Sequence, residues 1–268
     1  MLTNDRYLIE CYEQTERFFW SNISIETAQI NGTEVFASGA NNLYLNSAIQ
    51  RKPLTEATLQ PIMDTLQAFY KPFNLPWVWI IREDLIPSSL IIPQSLQLLD
   101  KSIVMALDLK LSLPHQAANN LFITENNDDL TDWGICLSKA YQIPEHTTDQ
   151  YSEGIQKYIA AHMKETSGKS KFHHFVGYLN DIPVSCVTLS FQNAVARIDD
   201  VGTVPEHQHK GYATQILLHT LQHSTTIGAD ICFLESSQAG IKVYSKLGFE
   251  ALYSNLYFEV VENIMGKS

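Results

Sequence analysis

The sequence predicts an α+β fold, and three observations carry that expectation. Val195–Asp200 has strand character and leads through a proline-bearing loop into Ile216, Leu217, Thr220 and Leu221, which stand at helical spacing. Ile231–Ser236 is a second apolar strand, followed by a short helical stretch around Tyr244 and a last strand, Ala251–Val260. The order strand, strand, helix, strand, short helix, strand can be traced twice along the 268 residues. A chain of that length buries a large core and has room for two domains of ordinary size.

In chain order, residues 4–20 mix apolar and polar positions as a helix does. Glu26–Ser38 and Asn41–Gln50 alternate as two strands joined at Gly39-Ala40-Asn41. Thr55-Glu56 opens a helix to about Lys71, with Leu59, Ile62, Met63, Leu66, Phe69 and Tyr70 on one face. Pro61 either kinks that helix or moves its start several residues on. Pro76–Ile81 is a compact buried strand; a short helix near Gln94–Asp100 and a strand at Ser102–Leu111 complete the first half. Pro114 and the asparagine pair after it place a linker near Ser112–Asn119, which gives domains 1–115 and 118–268. The second half opens with a strand at Leu121–Glu125, a helix from Asp128/Asp129 to Tyr141 and another at Thr148–Thr166 capped by Thr147. Lys171–Leu179 and Val184–Phe191 then form a hairpin over Asn180-Asp181.

The chain is organised around the stretch Val201–Thr214. A strand, a loop and a helix entered through Gly211 make a phosphate site, because first-turn N–H groups lack intrahelical partners and the helix dipole is positive there. Gly211 lets an anion approach the backbone, Ala213 keeps the next turn small, and Lys210 adds a cation. About 33 residues on, Ala239-Gly240-Ile241-Lys242-Val243-Tyr244 runs into Leu247-Gly248-Phe249. The spacing Gln208-x-x-Gly211-x-Ala213, together with this tyrosine helix ending in Gly-Phe, resembles the GNAT N-acetyltransferases over residues 118–268.

That resemblance implies a mixed twisted sheet flanked by helices, with acetyl-CoA as co-substrate and an amine of a small molecule or protein as acceptor. It assigns Val201, Gly202 and Thr203 to the pantetheine arm and to stabilising the acyl oxygen. Gln208, His209, Lys210, Gly211, Tyr212, Ala213 and Thr214 would hold the phosphates, and Ser237 stands where many relatives carry an asparagine that touches CoA. Tyr244 matches the family's proton donor to the leaving thiolate. The first half repeats the element order but lacks both landmarks. It is therefore either a degenerate GNAT-like domain, making the chain a tandem of two, or another α+β domain without a cofactor site.

Acyl transfer to an amine also needs a route for the amine proton, since a lysine-like amine costs about 4.6 kcal/mol to deprotonate at pH 7. Asp200 and Glu235 are the candidate bases, with Asp199 and a water route left open. Strand alternation turns one of Asp199 and Asp200 to the cleft. Cys232 stands where many relatives carry a catalytic glutamate, and Gly240 replaces a common alanine. With no covalent nucleophile indicated, the mechanism is direct attack in a ternary complex. The alternative from another class is a non-catalytic acyl-CoA-binding regulatory or interaction module.

The net charge of −11 argues against a nucleic-acid partner. Cys11, Cys136, Cys186 and Cys232 have no paired spacing and read as reduced thiols of a cytoplasmic protein. No signal peptide is visible at the N-terminus, and no apolar run is long enough to span a membrane. The acceptor sequons Asn22-Ile-Ser24 and Asn31-Gly-Thr33 then read as ordinary surface residues. His219 and His223 share a helix face, but spacing supplies no third ligand, so no metal is expected. The chain is expected to act as a monomer or homodimer.

Overall fold

The computed structural model of the protein describes residues 5–114, 120–141, 153–163 and 172–261. The fold is α+β, with mixed sheet flanked by helices. It divides into two compact units, Met1–Asn22 with Val104–Leu252, and Ile23–Ile103 with Tyr253–Ser268. The expected cut near residues 112–119 does not follow this division. The first helix clusters with the later residues, and most of the last strand clusters with the earlier ones.

In the second unit, β1 (Glu26–Ile30), β2 (Thr33–Ala37) and β3 (Asn46–Gln50) form an antiparallel meander. Where one strand was expected over Glu26–Ser38 there is a hairpin. Asn31 and Gly32 both take positive φ, the turn that Asn-Gly favours because it matches strand twist. Helix α2 (Glu56–Tyr70) then carries the chain to β4 (Val78–Arg82), which runs parallel to β3. Pro61 does not shift the helix start: Thr55 caps it, its side chain accepting from the Thr58 N–H while Thr58 answers to the Thr55 N–H. The anticipated apolar face of α2 packs into a core with Trp79, Ile81 and Leu96, and Tyr70 stacks on Trp77 at 4.9 Å. No helix forms at Gln94–Asp100. Those residues lead into β5 (Leu96–Asp108), a single 13-residue strand.

The first unit is built on the order β5-β10-β9-β8-β7-β6. Strands β6 (Phe122–Glu125), β7 (Phe172–Leu179), β8 (Ile182–Gln192) and β9 (Val195–Thr203) are antiparallel neighbours. The β7–β8 turn uses Asn180 and Asp181 at positive φ, as expected. Helix α5 (Tyr212–Thr226) connects β9 to a parallel β10 (Ile231–Ser236), and α6 (Ile241–Lys246) leads to β11 (Glu250–Val260). One face of this sheet carries α1 (Asp5–Ile23), α3 (Thr131–Ala140) and α4 (Glu153–His162), knit by aromatic contacts. The His162 ring lies 5.9 Å from Phe19 and 5.2 Å from Trp133. Thr147, Thr148 and the end of the helix expected to reach Thr166 lie outside the described residues.

Each unit thus contains antiparallel strands, four in one and three in the other, followed by a helical crossover to a parallel strand. The two crossover helices start differently. A side-chain capping box closes the first turn of α2, whereas α5 begins at Gly211 with no side-chain cap.

Candidate active site

The site begins where β9 and β10 part. Their parallel ladder runs from Val195/Ile231 to Ile198/Leu234 and stops, although β9 continues to Thr203 and β10 to Ser236. On its other side β9 stays paired with β8 but bulges. Thr188 faces Asp199 and Cys186 faces Gly202, so Asp200 and Val201 together oppose Val187. Asp200 takes φ 53, a conformation that bulges tolerate and regular strands do not. The result is a wedge edged by Asp199–Thr203 and Glu235–Ser236. Gly202 also has to be glycine. A Cβ there would lie 2.9 Å from the Ala140 Cβ and 3.0 Å from the Cys186 Sγ, so α3 sits directly on the bulged strand.

The bulge overturns the expectation that Asp199 and Asp200 alternate. Asp199 forms a bidentate pair with buried Arg197 at 2.9–3.0 Å, and that guanidinium lies over the Tyr12 and Phe19 rings of α1. Asp200 accepts from the Tyr158 hydroxyl of α4 at 3.1 and 3.2 Å. Both carboxylates therefore meet the helices of one face. Their electrostatics differ. Asp200 is pushed up to about 7, first by desolvation and then by the Asp199 charge, with the Tyr158 hydrogen bond opposing. Asp199 is raised too, by desolvation, but Arg197 pulls the other way. Glu235 accepts from Tyr12 at 3.1 Å. The buried thiol of Cys232 is pushed up by burial and then by Asp199, which leaves it protonated.

Past the wedge, a short turn at Pro205–His207 brings the chain to the start of α5. Gly211 takes φ 84 and nothing lies within 4 Å of where its Cβ would be, so the helix start is open as well as uncapped. His209 is also left-handed, at φ 61. Gln208, His209, Lys210 and Gly211 are exposed, whereas Tyr212 is buried and fixes the first turn. Gln208 donates to the Thr203 carbonyl at 3.1 Å, and the Lys210 ammonium donates to the Glu206 carbonyl at 2.8 Å. Both bonds brace the loop. Ala213 and Thr214 are half-buried in the first turn, and Ser237 is exposed just beyond β10.

Tyr244 lies on α6, half-buried. Its phenol is pushed up to about 12 by burial and then by the Asp199 charge, so it holds its proton at neutral pH. Gly240 sits one turn earlier, and a Cβ there would come within 2.7 Å of the Tyr244 ring and 3.0 Å of the Ser236 Oγ. Gly240→Ala is accordingly expected to displace the Tyr244 ring, lowering kcat with little change in stability because φ is −78°. Rates and melting temperature of that variant check this.

Sequence reasoning missed the phenols. Tyr12 and Tyr158 reach the carboxylates, and the exposed Tyr141 places its hydroxyl 3.4 Å from the Val201 carbonyl. No spacing signal links them to residues 42 to 223 positions away. Arg197 was not singled out either, although residues two apart on a strand share a face and that spacing pairs it with Asp199.

Residues 137–249 match the family model described as the Acetyltransferase (GNAT) family. Among curated proteins none matches the sequence. Solved structures are similar at low identity. A GCN5-related N-acetyltransferase from Kribbella flavida is 11% identical, with TM-score 0.69 over 95% of this chain and 96% of that one. A functionally unknown conserved protein from Staphylococcus epidermidis is 13% identical, with TM-score 0.62 over 91% and 98%. A tandem GNAT protein from the clavulanic acid biosynthesis pathway, solved without AcCoA, is 12% identical, with TM-score 0.55 over 90% and 85%. Residues 137–249 thus match the GNAT acetyltransferase family, within a fold that solved GNAT structures share over nearly the whole chain.

Proposed function

We propose that the protein transfers an acetyl group from acetyl-CoA to an amine by direct attack in a ternary complex. The observation that carries this reading is the run from the β9–β10 wedge, through a braced loop, to the uncapped start of α5 at Gly211. A wedge whose strand edge lacks a partner accepts an extended amide-bearing arm as an added strand. A helix start without a cap accepts phosphate. In this reading the N–H groups of Val201, Gly202 and Thr203 face the acyl carbonyl, and one pre-aimed donor is worth about 3 kcal/mol.

Asp200 is the base in this scheme. A carboxyl at about 7 is half ionised at neutral pH and takes the amine proton. Tyr244, still protonated, gives its proton to the CoA thiolate as the C–S bond breaks. Glu235 lies on the opposite edge of the wedge, tied to Tyr12, and helps hold a cationic acceptor before it loses its proton. Tyr244→Phe is expected to leave acetyl-CoA affinity within several-fold and to lower kcat about 100-fold or more. An unaltered turnover number would remove Tyr244 from the mechanism.

The earlier part of the chain, assigned here to residues 1–115, is read as a degenerate GNAT-like domain in tandem with residues 118–268. The shared meander and parallel crossover support it, and so does the tandem neighbour. The capping box at Thr55 takes up the Thr58 and Thr55 N–H groups, two of the donors that a phosphate at this helix start would use. Calorimetric titration with CoA should therefore give one site per chain. A stoichiometry of two would refute this part of the reading. A reducing, cytoplasmic setting fits the four free cysteines, each of them buried. Among the described residues no helix is long and apolar enough to cross a membrane.

A further inference from the structure

We propose that Glu125, His173 and His223 bind a divalent transition-metal ion of the zinc class, on the face of the sheet opposite the carboxylates of the wedge. The inference stands apart from the acyl-transfer reading. It starts from strand register. Glu125 of β6 pairs with Phe175 of β7, and residues two apart on a strand share a face, so Glu125, Phe175 and His173 stand together. His174 points the other way, to His162 of α4 at 2.9 Å.

Helix α5 covers that shared face. The Phe175 ring lies 5.3 Å from His219 and 5.1 Å from His223, and the His173 ring lies 4.9 Å from His223. The helix thereby delivers an imidazole to a strand pair that already presents a carboxylate and another imidazole. Ligand atoms of Glu125, His173 and His223 all fall within 4.8 Å of one another. Tetrahedral zinc with nitrogen and oxygen ligands needs donors about 3.3 Å apart, so small side-chain rotations open the 2.7 Å Glu125–His173 contact and close the wider spacings.

Two further features point to an ion. His223 Nε2 is buried with no hydrogen-bond partner among the described residues, which leaves a polar atom unsatisfied as the chain stands. The carboxylate is held in place from behind: Asn127 donates to Glu125 Oε1 at 2.6 Å, the same oxygen that lies 2.7 Å from His173 Nδ1. Metal-binding carboxylates are commonly oriented by such an outer hydrogen bond. Two imidazoles and one carboxylate are a zinc donor set, with a fourth position left for water. The site ties the β6–β7 pair to the helix whose other end starts at Gly211. Sequence spacing alone offered His219 and His223 as the pair; the fold instead recruits His223 with residues 50 and 98 positions earlier, and His219 packs on Phe175.

The test uses the full chain, stripped with chelator and titrated with Co²⁺ by visible absorption and with Zn²⁺ by calorimetry. One ion per chain is expected, with the visible band of four- or five-coordinate cobalt and a rise in melting temperature. His223→Ala and Glu125→Gln should each weaken binding about 10-fold or more, while His219→Ala should leave it unchanged. If His223→Ala does not fold, Glu125→Gln decides, since that side chain is one-third exposed. Absence of binding by the wild type below millimolar ion overturns the proposal. So does wild-type affinity in folded Glu125→Gln, which would place the ion elsewhere.

Discussion

Gly211→Glu is expected to abolish acetyl-CoA binding, with affinity falling about 100-fold or more, a loss of about 2.8 kcal/mol. Two effects add. The carboxylate would occupy the open space at the α5 start and repel phosphate from the positive end of the helix. The residue must also hold φ 84, which costs a non-glycine residue about 1–2 kcal/mol of stability. Gly211→Ala separates the two, because it carries the backbone cost without the charge. Gly211→Ala should lower the melting temperature while retaining most affinity, and Gly211→Glu should lose affinity beyond that. Calorimetry on both folded variants measures it. Equal, wild-type affinity in both would remove the loop from the binding site.

Asp200→Asn is expected to abolish the acidic limb of the pH–rate profile. A base must be ionised to act, so the wild-type kcat/KM should fall tenfold per pH unit below about 7 and level off above it. The asparagine variant should be slower by about 10²–10⁴-fold and show no inflection there. Stability supplies an independent check, and its sign is fixed. The folded pKa of Asp200 lies above the ordinary aspartate value of 3.8, so the group's contribution to stability is present below about 4 and is lost as pH rises to about 7. The variant should therefore gain melting temperature over wild type at pH 8 and not at pH 4. An inflection that persists in the variant would hand the role to Glu235 or to water.

The later residues were legible because local rules and tertiary structure agree there. The Asn180-Asp181 turn, the α5 start at Gly211 and the tyrosine helix each follow from spacing within a dozen residues. The earlier residues were harder. Asn31-Gly32 is a strong hairpin signal that was read only as part of a sequon, so one strand was expected where two exist. The leucine-rich stretch at 94–100 carries no period that separates helix from strand, and pairing in the sheet decided for β5. At the site, the carboxylates were found but their facing was not. Alternation holds for regular strands, and the bulge at Asp200 is set by pairing with β8, which no local pattern announces. Tyr158 is invisible for the same reason, since only packing of α4 on the sheet brings it to Asp200.

Time-dependent release of free thiol from acetyl-CoA across a panel of amines measures whether this wedge supports chemical turnover. Thiol release should depend on at least one amine and match, mole for mole, acetylated amine detected by mass. Tyr244→Phe should suppress that release while CoA still binds. Tight CoA binding with no amine-dependent thiol release across small-molecule and peptide amines would contradict turnover at this wedge, and would make the chain an acyl-CoA-binding module instead.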